Sequence, residues 1–247
     1  MADSDHEWRR WGKMDPYFGV LADPRFRKGR IEGNRVEFFD LGRLTVEERL
    51  ATAEQHFGYF ERRRALDFGC GVGRLSLPLA AHFDEVLGLD IAPAMLAEAR
   101  INAERAGVAN LALARSDEML SAADGRFDFV MSFMVLQHIP VARGMRIFER
   151  LLSLVAVGGV AAIQLCIARP DDPASRLRYW AQRNVPGVRQ AFNLRNGRPV
   201  AEPLMQMNPY PLDELLAMAE AAGFKPALVQ PYADGRFEAA QLLMQRG

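Results

Sequence analysis

The stretch Arg64 to Ser76, RALDFGCGVGRLS, reads as a strand that runs into a glycine-rich turn and then into a helix. Leu66, Asp67 and Phe68 end a short apolar run, and Gly69, Gly71 and Gly73 follow at alternate positions before a helix-like Arg74 to Ala81. A turn of this kind brings bare backbone close to a ligand. Glycine permits it because a side chain would block the approach or the positive φ values, and the following helix adds free N–H groups and a partial positive charge. Such a turn suits a ligand with an anionic or carboxylate end, or one lying edge-on against the backbone.

Composition bounds what can be built around this turn. With 247 residues and 49% of them apolar, the chain can bury one large core, alone or with an insertion. Basic and acidic residues balance at 31 each, so no global field draws the protein to nucleic acid or anionic lipid. Lys13, Lys28 and Lys225 are the only lysines, so nearly all positive charge is arginine. Cys70 and Cys166 are too few and too apolar in setting for a disulfide framework, and no Cys/His spacing suggests zinc. A reducing cytoplasm fits best. The opening MADSDHEWRRW has no apolar signal region, and no run approaches the length of a membrane span. The expectation is a cytoplasmic protein without a metal, a monomer or a homodimer.

The order strand, Asp67-x-Gly69-x-Gly71-x-Gly73, helix resembles motif I of the class I S-adenosylmethionine-dependent methyltransferases. A dinucleotide fingerprint would instead put a third Gly or Ala where Ser76 stands, and it does not ask for Asp67. A second match follows. Glu85 to Asp90 reads as a strand ending in an acid, and Asp90 falls roughly twenty residues beyond the turn, where a carboxylate of a βαβ unit meets ribose hydroxyls. The plainer role for Asp90 is a helix cap. Pro93 opens the next helix, which continues to about Ala106 and stops at Gly107.

Leu111 to Ala114 reads as a third strand, followed by Arg115-Ser116-Asp117-Glu118-Met119. The resemblance implies an acid at this point that accepts from the adenine amino group; Asp117 matches, and Glu118 competes for the role. Phe127 to Phe133 is an almost wholly apolar fourth strand, as a central parallel strand should be. Its continuation, Met134 to Pro140, leaves the sheet at the carboxyl edge, where open α/β sheets hold ligands. His138 is the one histidine placed there, and it either accepts a proton from an acceptor hydroxyl or amine or orders the loop through a backbone bond. The fourth strand lacks the Asn/Asp-Pro-Pro-Tyr/Phe box of the nucleobase and glutamine amino-methyltransferases. Asn208-Pro209-Tyr210-Pro211 comes after the fifth strand and reads as the entry to a helix.

Before the motif, Met1 to Asp40 reads as irregular, with aromatics among glycines and charges, either an arm packed on the core or a lid whose Tyr17 and Phe18 close over a pocket. Thr45-Val46-Glu47-Glu48 reads as a capping box that starts a helix running to about Phe60, with His56 an ordinary helix residue. After the motif, Val141 to Val155 reads as a helix and Val160 to Ile167 as the fifth strand. Pro170 to Met207 then intervenes with six arginines against three acids. Asp172-Pro173 starts a helix there that carries Tyr179 and Trp180. An insertion at this point overhangs the carboxyl edge and forms a cap over an acceptor pocket; the competing reading, an RNA surface, lacks a compact basic run. Pro211 to Ala222 is a last helix, and Lys225 to Gln230 with Glu238 to Gln245 form a terminal hairpin.

With these elements, the resemblance implies a doubly wound α/β sheet of seven strands, order 3-2-1-4-5-7-6, with the last strand antiparallel and a small cap. Its parts are an arm (1–44), a core (45–168 and 208–247) and the cap (169–207). The resemblance implies S-adenosylmethionine as methyl donor and S-adenosylhomocysteine as product. The donor site is expected from Asp67, Gly69, Cys70, Gly71, Gly73, Asp90, Ile91, Met95, Ser116, Asp117, Glu118, Met119 and Ser132. The acceptor pocket is expected from Tyr17, Phe18, Met134, Gln137, His138, Tyr179, Trp180 and Arg183. The expected reaction is in-line methyl transfer to O, N or C of a small metabolite, with RNA or protein methylation, a non-catalytic binding protein and a nicotinamide oxidoreductase as rivals.

Overall fold

A computed structural model describes residues 4–169, 173–234 and 237–247. Seven strands form one sheet in the order β3-β2-β1-β4-β5-β7-β6. These are β1 (Arg64–Phe68), β2 (Glu85–Asp90), β3 (Leu111–Arg115), β4 (Phe127–Ser132), β5 (Val155–Ala168), β6 (Leu228–Asp234) and β7 (Phe237–Gln245). The first five run parallel, and β7 lies antiparallel between β5 and β6. Every residue of β4 is buried, which suits a strand covered on both faces.

Helices α4 (Ser76–Leu79), α5 (Pro93–Ala106), α6 (Val141–Leu154) and α9 (Leu212–Ala221) connect the strands. Two apolar clusters result. One holds Phe127, Phe148, Leu151, Ile163 and Leu215 between the sheet and α6 with α9. The other holds Val46, Leu50, Leu79, Phe83 and Phe129. Asp128 fastens the start of the sheet by accepting from the backbone N–H groups of Arg63 and Arg64 at 3.0 and 2.9 Å. β1 and β4 are direct neighbours, with Asp67 opposite Met131, yet their onward connections leave toward opposite edges of the sheet. Such a switch point opens a crevice at the strands' carboxyl ends.

The N-terminal region differs from its reading. It is largely helical, with α1 (Ser4–Met14), α2 (Pro16–Val20) and α3 (Ile31–Phe57). Thr45 does not start a helix: it lies in the middle of α3, where its hydroxyl donates to the Leu41 carbonyl four residues back at 2.7 Å. Helix α3 therefore runs through the boundary drawn between residues 44 and 45. Gly42 lets it approach the glycine turn, since a Cβ there would lie 2.2 Å from the Arg74 carbonyl oxygen. A third cluster, Trp11, Tyr17, Phe26, Phe38, Val72, Ala92 and Met95, welds this region to the turn and to α5.

The inserted segment forms α7 (Pro173–Asn184) and α8 (Val188–Arg195). Asp172, the expected cap of α7, and Pro170, the start of the basic segment, lie outside the described residues. Asn208 to Pro211 leads into α9 without regular secondary structure and also braces the loop after β4. Asn208 donates from its amide to the Gln137 and Ile139 carbonyls, and the Tyr210 hydroxyl sits 2.9 Å from those of Leu136 and Ile139.

Candidate active site

The glycine turn closes on itself. The N–H groups of Gly69 and Cys70 donate to the Leu89 carbonyl at 2.7 and 3.0 Å, that of Gly73 to Cys70 at 2.9 Å, and that of Gly71 to Asp90 Oδ2 at 2.9 Å. All three glycines have positive φ, at 80, 54 and 85°. The amides that a phosphate nest would present are therefore occupied. Of the two kinds of ligand expected of the turn, these four inward-bonded amides favour the one that lies edge-on against bare backbone.

Two carboxylates frame it. Asp67, buried, accepts from the Ser76 hydroxyl at 2.6 Å. Asp90, half-buried, accepts from Gly71 N–H with one oxygen and from Ala92 N–H at 2.8 Å with the other. It thus does cap the helix that follows, while each oxygen keeps a second lone pair. Burial pushes both carboxyls up from 3.8 to about 6; for Asp90 the two backbone donors act against that rise. Burial likewise pushes the Cys70 thiol up, which makes it inert rather than nucleophilic.

A cavity opens at the ends of β1, β2 and β4. Of the expected donor-site residues it brings together Gly69, Gly71, Asp90, Ile91, Met95, Ser116 and Asp117, with Met134 and His138 beside them. Asp67, Cys70, Gly73 and Ser132 stand behind this lining. Glu118 turns outward to pair with Arg146, and Met119 is 68% exposed, so neither lines the cavity. Asp117 holds its own turn by accepting from Ser121 N–H at 2.9 Å, and that donor keeps its carboxyl below the usual range.

The arm supplies a wall that the sequence reading did not assign. Asp5 and Trp8 of α1 and Gly19 and Val20 of α2 line the same cavity. Val20 packs so closely on Gly71 that a Cβ on that glycine would lie 2.5 Å from its Cγ2. Ser4 donates to the His138 carbonyl at 2.6 Å, and Arg143 binds Asp5 at 2.6 Å. The signal was legible in principle: acids in the first turn and Trp8 with Trp11 three apart are the marks of an amphipathic helix. Tyr17 is not part of this cover. It packs on Phe38, and its hydroxyl lies 2.7 Å from Glu98 and 2.9 Å from Asn102.

His138 is buried, with Nδ1 2.6 Å from the Gln206 carbonyl and its ring 4.9 Å from that of Trp8. Burial lowers its pKa from 6.5 to about 4, so the imidazole is neutral at pH 7 and donates from Nδ1, leaving Nε2 an acceptor. The residue before it, Gln137, is fully buried, and its carbonyl accepts from Asn208 N–H. Met134 holds a strained φ of 59°, fixed by its N–H donating to Gln164 Oε1 at 2.7 Å.

A second cavity of about 470 Å³ lies under the inserted segment. Phe18 and Tyr179 line it, whereas Trp180 is 56% exposed and Arg183 lines neither cavity. No cluster of metal-ligating side chains occurs among the described residues. No described helix is long and apolar enough to cross a membrane.

Comparison with known proteins follows this geometry. Residues 65–159 match the family model described as a methyltransferase domain. Ubiquinone biosynthesis O-methyltransferase of Cereibacter sphaeroides (strain KD131) is 42% identical over 129 residues, 51% of each chain. Trans-aconitate 2-methyltransferase of Methylobacterium radiotolerans is 38% identical over 47% of this chain and 42% of its own. The chain thus spans about half the length of the curated relatives it matches. Among solved structures, magnesium protoporphyrin IX methyltransferase from Synechocystis PCC 6803 with bound SAH covers 99% of this chain and 100% of its own, at a TM-score of 0.66 and 19% identity. An O-methyltransferase family protein from Burkholderia thailandensis covers 98% and 69%, at a TM-score of 0.55 and 15% identity.

Proposed function

We propose, from the match of residues 65–159 to the methyltransferase domain model, that the protein transfers a methyl group from S-adenosylmethionine to a small-molecule acceptor. The single observation that carries the choice of donor is the state of the glycine turn. The amides of Gly69, Cys70, Gly71 and Gly73 are bonded inward and two carboxylates stand beside the turn, an arrangement that repels a pyrophosphate and suits a ligand with cationic ammonium and sulfonium groups. Asp90 offers its remaining lone pairs to ribose hydroxyls. Asp117 and Ser116 take the adenine end, while Gly69 and Gly71 leave room for the amino-acid end.

When bound, the donor supplies an activated methyl group on sulfur. The chain's part is alignment and exclusion of water. Trp8, Gly19 and Val20 roof the cavity, and Met134 with His138 closes its end. His138, neutral and held by Gln206, orients the acceptor and takes a proton from an acidic acceptor group; its low basicity does not suit an alcohol. Neither of the buried cysteines, Cys70 and Cys166, is in a disulfide, which agrees with a reducing cytoplasmic setting.

Transfer of a labelled methyl group from S-adenosylmethionine into a metabolite extract tests the reading. Label in small molecules is the expected result. Label only in RNA or protein fractions would move the acceptor to another class, and tight S-adenosylhomocysteine binding with no labelled fraction would leave a binding protein without transferase activity.

A further inference from the structure

The two cavities have opposite character. Asp5, Asp90 and Asp117 line the first beside a single arginine, Arg143. Among the described residues, five arginines, at 169, 176, 178, 189 and 198, line the second against one carboxylate, Glu202. Glu202 is itself engaged, by Arg27 at 2.7 Å and Arg198 at 3.7 Å. Guanidinium groups stay charged at every physiological pH, and their fork matches carboxylate and phosphate oxygens. Between the arginines stand apolar walls: Trp11, Phe18, Tyr179 and Phe192. Arg27 lies over the Phe18 ring at 3.5 Å, and Arg169 faces Tyr179 at 5.7 Å.

The cavities are adjacent. Met205 and Met207 line the second, and the carbonyl of Gln206 between them holds His138 of the first. Helices α1 and α2 give Trp8 and Val20 to one and Trp11 and Phe18 to the other. Glu7, next to Trp8, binds Arg189 at 2.8 Å.

We infer that the second cavity seats the acceptor by its anionic groups, so that the acceptor is an organic anion, carrying carboxylate or phosphate on an aromatic or otherwise apolar body. This rests on the methyl-transfer reading. The arginines hold the charged end, the aromatic walls hold the body, and the far end reaches the transfer site past Trp8 and His138. A cationic donor and an anionic acceptor then sort themselves between cavities by charge alone.

The test is calorimetry on the full chain, first with S-adenosylhomocysteine and then, at saturation, with benzene-1,3,5-tricarboxylate, phenyl phosphate and the neutral benzene-1,3,5-tricarboxamide. The expected result is that at least one anion binds tenfold or more tightly than the amide and weakens with added salt. The Arg176→Gln/Arg178→Gln variant, altered at two exposed positions of α7, should lose about tenfold of that affinity, whereas Arg43→Gln, on the exposed face of α3, should keep it. Binding of the tricarboxylate alone or of the phosphate alone identifies which group the arginines read. Equal binding of amide and anions, an equal loss in Arg43→Gln, or preference for a single-stranded oligonucleotide overturns the inference. If S-adenosylhomocysteine binds and no anion does, the acceptor inference falls and the donor reading stands. If S-adenosylhomocysteine fails to bind, the donor reading falls while the anion titration still decides on the cavity.

Discussion

Asp90 carries two duties with one carboxylate. It ties the glycine turn to the helix after β2 and is offered to the donor, so Asp90→Asn should weaken S-adenosylhomocysteine binding by about ten- to a hundredfold, the loss of a charged hydrogen bond worth roughly 1.5–3 kcal/mol. Calorimetry at pH 7.5 reads it, and unchanged affinity would remove Asp90 from the site. Both Asp67 and Asp90 are raised to about 6 in the ligand-free protein. Donor affinity should be full above that value and decline as pH falls through it, because the proton competes for the form the ligand needs. For His138 the pKa shift is opposite in sign to that of the aspartates, and the quantity it moves is stability rather than donor affinity. Its pKa drops from 6.5 to about 4 on folding, so between those values the unfolded chain holds a proton that the folded chain does not. The stability linked to it is present above pH 6.5 and is lost as pH falls toward 4. His138→Gln, which keeps a donor for Gln206, should flatten the decline of Tm over that interval; a slope matching the parent's would show that His138 is not buried neutral. At this scale the acidic residues of the motif were legible because their spacing is local. The inward bonding of the turn's amides was not, since it depends on Leu89 from the neighbouring strand.

Helix α3 makes the difference between local signal and tertiary context measurable. A capping box at Thr45 predicts that Thr45→Ala costs about 1 kcal/mol, whereas a mid-helix threonine bonded to Leu41 predicts a change near zero or a slight gain. Thermal denaturation separates the two, and the observed position of Thr45 requires the second outcome. Gly33 and Gly42 explain why the helix was hard to read before residue 45: glycine lowers helix propensity, and nothing local reveals that Gly42 serves a close approach to Arg74. Gly42→Ala should therefore destabilise by roughly 1–3 kcal/mol, despite the better propensity of alanine. The strands, by contrast, were mostly legible: β1 to β4 and β7 lie within about a residue of their reading, whereas β5 begins at Val155, inside what was read as the end of a helix, and β6 runs Leu228–Asp234 rather than Lys225 to Gln230. β1 to β4 are short, mostly apolar runs, while the sheet order and the antiparallel last strand were expected from the family resemblance rather than from the runs themselves. Helix α8 was missed because its polar composition gives no clean apolar stripe.

The molecule as a whole is a methyltransferase-fold sheet whose switch point is roofed by its own N-terminal helices and flanked by a basic insertion. Glu7 joins these parts. Buried, it accepts from Arg10 and Arg189 and from the backbone N–H of Leu204. If the roof must lift for ligand exchange, Glu7→Gln should speed S-adenosylhomocysteine release on the order of tenfold, the kinetic equivalent of about 1.4 kcal/mol, with a smaller effect on its association. Stopped-flow displacement reads this directly, and an unchanged release rate would show that the arm is a fixed wall. The account's central claim is narrower and can be tested first: the crevice between β1 and β4 holds an adenosyl amino-acid donor, not a dinucleotide. Parallel titrations of the full chain with S-adenosylhomocysteine and with NAD decide it. The account predicts saturable binding of S-adenosylhomocysteine at one site per chain and none of NAD; binding of NAD without S-adenosylhomocysteine would contradict it.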